Sequence, residues 1–256
     1  MFSVPQGGFA PDFHPELAEQ EYYIGMGEGA EILAEKGNIS REDQEEFAIN
    51  SHKKALTAIA DGKFDNELIS IDKYGECTID KDEGHREPDV DKIKSLNPAF
   101  IENGTITAAT SSPFSIGAAA LLLTSDSFAE KRGLTTRAKL VSPAVAGFDW
   151  QLFGMGPIPA AKKALDKAGV TMNDVETIEL NEAFAAQSLY CINEGNWDIN
   201  KINLNGGAIA LVHPLGCSGA RITTTLINVM EQQDSHLGLA TMCIGTGQGI
   251  ATIIGR

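Results

Sequence analysis

Val175-Glu176-Thr177-Ile178-Glu179-Leu180 runs directly into Asn181-Glu182-Ala183-Phe184-Ala185-Ala186-Gln187. The first six residues read as a short, largely buried strand, and residues 182–193 read as a helix. A strand that hands over to a helix is the repeating unit of a layered α/β fold with a covered sheet. The ends of strands in such sheets are where ligands meet backbone N–H groups and helix N-termini. Read alone, Asn181 is equally at home as a helix N-cap, so the polar pair 181–182 carries two readings.

The same alternation continues on both sides. Downstream, residues 220–233 form a helix with Ile222, Leu226, Val229 and Met230 on one face, and residues 239–244 and 250–254 form two strands joined by a glycine-rich turn. Upstream, residues 160–168 read as a helix opened by Pro159 and closed by Gly169, and residues 138–146 as a strand. A short helix over 127–131 stops at Gly133, and 105–109 and 118–124 are apolar runs of the buried kind. The first hundred residues differ. Helices are expected over 24–36, stopped by Gly37, and over 40–61, opened by Ser40 with Asp43 three residues on. A strand over 68–71, a polar excursion over 72–91 and a short helix over 93–100 follow. Residues 1–20, rich in Pro, Gly and Phe, read as a loop.

Three segments in the last third can carry chemistry. The first is the 179–184 strand end. The second is Asn205-Gly206-Gly207-Ala208-Ile209-Ala210-Leu211-Val212-His213-Pro214-Leu215-Gly216-Cys217-Ser218-Gly219. Pro214 stiffens the turn that presents His213, and an imidazole held there can act as a general base or serve a structural role. Cys217 falls at the expected start of the 220–233 helix, where a thiol pKa is expected below ~8.5; a small core residue reads as well. In the third, Cys243 ends an apolar strand and meets Gly245-Thr246-Gly247-Gln248-Gly249. The glycine N–H groups can hold an oxyanion or only shape a hairpin.

Bulk properties narrow the partners. The chain has 256 residues, 43% hydrophobic, enough for a substantial core. A net charge of -15 opposes binding to nucleic acid and to anionic membranes. The four cysteines, Cys77, Cys191, Cys217 and Cys243, match no metal-ligand spacing. They read as reduced thiols of an intracellular, cytoplasmic protein. No secretory signal opens the sequence, and no apolar run approaches the ~20 residues of a membrane span.

Together these motifs resemble the thiolase family. The resemblance rests on Asn181 to Gln187, on Asn205 to Ala210 running through His213-Pro214, and on Cys243-Ile244-Gly245. It extends upstream through Met26-Gly27, Ala30-Glu31, Ser40 to Gln44, Gly62-Lys63-Phe64, Asp82-Glu83, Arg86, Pro98-Ala99-Phe100, Gly104 to Ala108, Gly117 to Ala120 and Gly156 to Ala160. It implies an α/β fold of two similar halves stacked as αβαβα layers, with a loop domain inserted in the first half. On that map residues 1–110 are loop domain, 111–134 end the N-terminal half, and 135–256 are the C-terminal domain; most of the N-terminal half is not in this sequence.

The resemblance also implies a chemistry: thiolytic cleavage or formation of 3-ketoacyl-CoA. Coenzyme A and acyl-CoA are the substrates, with no permanently bound cofactor or metal. His213 matches the histidine that activates the acylated cysteine. Cys243 matches the second, acid/base cysteine, and Asn181 matches the residue that fixes an oxyanion-binding water. Gly245 supplies an oxyanion N–H. Arg86 matches a basic residue at the nucleotide end of coenzyme A, while Ser112, Ala108, Ala183, Phe184 and Met26 match the pantetheine tunnel. The complete enzyme is implied to be a homo-oligomer.

Several positions depart from the pattern. No cysteine here matches the family's nucleophile, so activity is expected to need a separate N-terminal half. The alternative is a non-catalytic CoA-binding or assembly subunit. Val212 stands where a glycine usually precedes His-Pro, Gly25 where biosynthetic thiolases often have His, and Ile116 where Asp is common. Ala109-Thr110-Ser111-Ser112 looks like the fatty-acid degrading type. An exposed apolar face and low stability are expected of the isolated chain.

Overall fold

The computed structural model describes residues 12–73, 75 and 77–256. The expected opening loop therefore lies outside the described residues over 1–11, as does the side chain of Cys77. Of the rest of that loop, Pro15–Glu19 is a short helix, α1, with proline in its first turn. Helix α2, Met26–Lys36, and helix α3, Arg41–Ala60, follow as expected. The Ser40 side chain accepts from the Asp43 N–H while Asp43 Oδ2 accepts from the Ser40 N–H, a reciprocal cap.

The expected strand over 68–71 is displaced. Ile71–Lys73 (β1) pairs antiparallel with Cys77–Ile79 (β2) inside the polar excursion, where Gly75 supplies the positive φ of the turn. The expected 93–100 helix is Val90–Ser95 (α4), capped by Asp89 and ended before Pro98.

Asp126–Arg132 (α5) ends at a left-handed Gly133. Lys139–Gly147 (β3), Pro157–Ala168 (α6), Thr177–Leu180 (β4), Ala185–Glu194 (α7), Ala208–Leu211 (α8), Ser218–Gln232 (α9), Leu237–Ile244 (β5) and Gln248–Gly255 (β6) complete the chain. They build one four-stranded sheet in the order β3-β6-β5-β4. β4 runs parallel to β5, and β6 pairs antiparallel with both β5 and β3. Alternate residues sort to the two faces, as strand geometry requires. Ile178, Leu180, Leu239, Ala251 and Ile253 pack with α6 and α7, whereas Ala240 and Ile254 pack with Ile222, Leu226 and Met230 of α9. The described part is thus three layers, α6 and α7 over the sheet over α9, with α2 and α3 laid against α7.

Two expectations fail. The 182–193 helix starts only at Ala185, with Phe184 as N-cap, because Glu182 turns inward to bond elsewhere. Residues 118–124 are not buried: Leu122 is 79% exposed and Ile116 fully so. Their apolar side chains lie at the surface, and no element among the described residues covers them. Leu140, Val141 and Val145 on β3 are exposed as well.

Candidate active site

The site builds from the C-terminal ends of β4 and β5. Leu180 pairs with Thr241, and the Asn181 N–H donates to Thr241 O at 3.0 Å, so Asn181 and Cys243 leave the sheet at the same end. Asn181 is 1% exposed, yet neither its Oδ1 nor its Nδ2 has a partner among the described residues. A cap would have used that oxygen. Unpaired amide atoms this deeply buried call for a bound water or ligand.

Cys243 is half-buried near the end of β5. Like Met26, it packs against the apolar cluster of Ala30, Ile106, Phe153, Ala183 and Phe184. This surrounding pushes its thiol up to about 12, so it stays protonated at neutral pH. Gly245 opens the turn after β5, and a Cβ there would lie 3.6 Å from Met26 Sδ, an ordinary contact.

Of the positions expected to line the pantetheine tunnel, Met26, Ala183 and Phe184 belong to this cluster. Ser112 donates through both its N–H and its hydroxyl to Ala183 O, at 3.0 and 3.1 Å. Ala108 is exposed in the 3-10 turn Ala108–Thr110 just before it. Phe184 packs edge-on to Phe100 with ring centroids 5.6 Å apart. Arg86 stands apart from these residues. It is exposed, close enough to His52 for its charge to act there, and has no ion pair among the described residues.

His213 follows the one-turn helix α8. Its Nδ1 lies 2.5 Å from Ser218 Oγ, and that hydroxyl in turn donates to Pro214 O at 3.0 Å. With the hydroxyl proton committed to the carbonyl, the oxygen accepts from Nδ1–H. The unprotonated nitrogen is therefore Nε2. Burial, with the Arg221 guanidinium in the neighbourhood, pulls the imidazole down to about 4, so it is neutral at pH 7.

Glu182 fixes α8. Its carboxylate accepts from Ser51 Oγ at 2.7 Å, Asn203 Nδ2 at 2.8 Å and Ile209 N–H at 3.1 Å. Gly207 lets the carboxylate this close, since a Cβ there would overlap it at 2.0 Å. Asn203 also brackets Leu180, accepting from its N–H and donating to its carbonyl. Burial raises the Glu182 pKa against these bonds.

Val212 has φ 66° and ψ 167°, a region almost exclusive to glycine. The valine departure is thus a strained backbone directly beside His213. Cys217 does cap α9, but burial raises its thiol pKa, against the lowering expected from the helix terminus. The helix dipole does not offset transfer of the thiolate out of water. Sequence reading missed Ser218 and the Ser51–Glu182–Asn203 net. Glu182 and Ser218 lay within the quoted motifs, but nothing in the sequence pairs Ser51 with a residue 131 positions away.

The chain belongs to the thiolase family. The thiolase N-terminal domain matches residues 9–127, and the thiolase C-terminal domain matches residues 134–256. A 3-ketoacyl-CoA thiolase of Shewanella loihica is 51% identical over 256 residues, covering 96% of this chain and 66% of that protein. One of Psychrobacter cryohalolentis is 50% identical over 258 residues, covering 96% and 65%. The chain thus spans just under two thirds of the length of these relatives. The fold matches Bacillus anthracis acetyl-CoA acetyltransferase with a TM-score of 0.88 at 37% identity, covering 99% of this chain and 66% of that one. It matches human mitochondrial 3-ketoacyl-CoA thiolase in complex with CoA with a TM-score of 0.87 at 35% identity, covering 99% and 66%.

Proposed function

We propose that this chain supplies the acid/base half of a 3-ketoacyl-CoA thiolase of the fatty-acid β-oxidation type, acting on acyl-CoA and coenzyme A. The observation that carries the reading is the buried Asn181 amide, unpartnered among the described residues at the same sheet end as Cys243, with Ser218 holding His213 through Nδ1 so that Nε2 is free. In the thiolytic direction a cysteine thiol gives its proton to His213 Nε2 and attacks the 3-keto carbon. The bond between the α- and β-carbons breaks, and the electron pair goes to the α-carbon of acetyl-CoA. Cys243 protonates that carbon, and the acyl group remains as a thioester until coenzyme A takes it. Once Nε2 carries the thiol's proton, His213 and a water on Asn181 donate to the thioester oxygen. The N–H of Gly245 is half of a second oxyanion site, and one such donor contributes about 3 kcal/mol.

The nucleophilic thiol is not among Cys191, Cys217 and Cys243, nor is it Cys77, which falls in the polar excursion and matches no thiolase motif. Burial raises the pKa of the first two, and the third serves as the acid. It comes from a thiolase N-terminal segment outside these residues. Met26, Ala108, Ser112, Ala183 and Phe184 line the pantetheine path, and Arg86 meets the phosphates. Residues 1–110, 111–134 and 135–256 are taken as loop domain, end of the N-terminal half and C-terminal domain. The complete assembly is a homo-oligomer, and the free thiols fit a cytoplasmic setting.

Thiolysis of a 3-ketoacyl-CoA is measured for the chain alone and with a separately produced thiolase N-terminal segment bearing the cysteine. Activity only in the mixture is expected. Activity of the chain alone contradicts the external nucleophile. No activity in either, with acetyl-CoA binding intact by calorimetry, favours a non-catalytic CoA-binding subunit.

A further inference from the structure

A groove of about 520 Å³ runs between α3 and the segment 199–204, within the size range of small-molecule sites. One wall is a single face of α3: Asp43, Glu46, Phe47, Asn50, Ser51 and Lys54 recur at helical spacing. Charge is segregated along that wall. The carboxylates sit in the first turns, and Lys53 and Lys54 about 12 Å further along the axis from Glu46. Between them lies an apolar stretch of Phe47 and Leu189, faced by Leu204.

Lys54 is the unusual group. Its Nζ donates to Ile202 O at 3.0 Å, which uses one of its three donors. Among the described residues no carboxylate lies within ion-pair distance of it. Burial lowers its pKa, opposed only by the more distant Glu182 and Glu179. An ammonium drawn out of water without a counter-ion favours an anionic ligand. At the other end, exposed Glu46 favours a cation, and Asp43 adds negative charge while its Oδ2 accepts from the Ser40 N–H and hydroxyl.

We propose that this groove binds a small zwitterion with an apolar middle, its carboxylate on Lys54 and its ammonium on Asp43 and Glu46. The charges of such a ligand stand ~10 Å apart, the span of an extended tripeptide. The site does not depend on the thiolase reading. Its floor is Ser51, Asn203 and Glu182, the net that holds α8.

The probe is the tripeptide Ala-Leu-Ala with free termini, titrated into the full chain and followed by amide NMR shifts. Its N-acetylated, C-amidated form is the control. Saturable shifts confined to residues 43–54 and 199–204 are expected, with the blocked peptide and the K54M variant each weaker by about tenfold or more, as loss of a charge-assisted contact implies. The blocked peptide keeps the test independent of how K54M folds. No saturable shift in these segments at millimolar peptide, or equal binding of the free and blocked forms, overturns the proposal.

Discussion

The Glu182 carboxylate accepts the Ile209 N–H at 3.1 Å, tying the end of β4 to the helix turn that presents His213. One buried acid thereby sets the distance between the segments carrying Asn181 and His213. It also holds α3 through Ser51.

Glu182→Ala leaves the Ser51 O–H, one N–H of the Asn203 amide and the Ile209 N–H without an acceptor inside the protein. Unsatisfied buried groups cost about 1–3 kcal/mol each before relaxation, so a loss of roughly 3 kcal/mol is expected. Urea unfolding measures it. Hydrogen exchange at Ile209 should rise with it, and an unchanged Ile209 would show that the carboxylate does not hold α8.

Val212→Gly should stabilise the chain. A non-glycine residue at this φ and ψ costs about 1–3 kcal/mol, partly offset by glycine's greater unfolded-state entropy of roughly 0.5–1 kcal/mol. A gain of about 1 kcal/mol is expected. Val212→Ala keeps the strain and loses side-chain contact, so it should not stabilise. Chemical denaturation of the pair separates the two effects.

Ser218→Ala removes the acceptor for His213 Nδ1–H. The imidazole should then populate both tautomers, visible in its ¹⁵N shifts. Thiolysis by the complemented enzyme should fall by roughly tenfold or more, because the base is in the wrong form part of the time. A single Nδ1–H tautomer in the variant would show that another group fixes the ring.

Glu179 is fully buried, and burial above all pushes its carboxyl up to about 8. An unfolded glutamate titrates near 4.3, so between that value and 8 the folded chain holds a proton that the unfolded chain has released. Stability must then fall as pH rises through this window, by up to about 1.4 kcal/mol per pH unit. Below pH 6.5 the fall is opposed by His52 and His213, both held at about 4, whose unfolded forms take up protons. The clean test is therefore pH 6.5 to 8. Wild type should lose stability there, and Glu179→Gln should lose measurably less, the rest belonging to Glu182 and Glu67, whose carboxyls burial also raises.

Strand and helix periodicity placed every element of the four-stranded sheet to within a few residues, because alternate burial is written into Leu239 to Ile254. The three chemical motifs were legible as well. What failed were positions where a long-range partner overrides a local preference. Glu182 looks like a first-turn acid, yet it bonds to Ser51 and Asn203 instead. Cys217 sits at a helix terminus, yet desolvation outweighs the dipole. Leu122 and Leu123 carry a buried pattern, yet no element among the described residues packs on them, which their own sequence does not encode.

A crystal structure of the complemented assembly with acetyl-CoA is the most direct test of the whole reading. The thioester should lie with its carbonyl oxygen about 3 Å from a water held by Asn181 and from His213 Nε2, which then carries the cysteine's proton, with the Cys243 sulfur facing the α-carbon. A thioester bound away from these three side chains would contradict it.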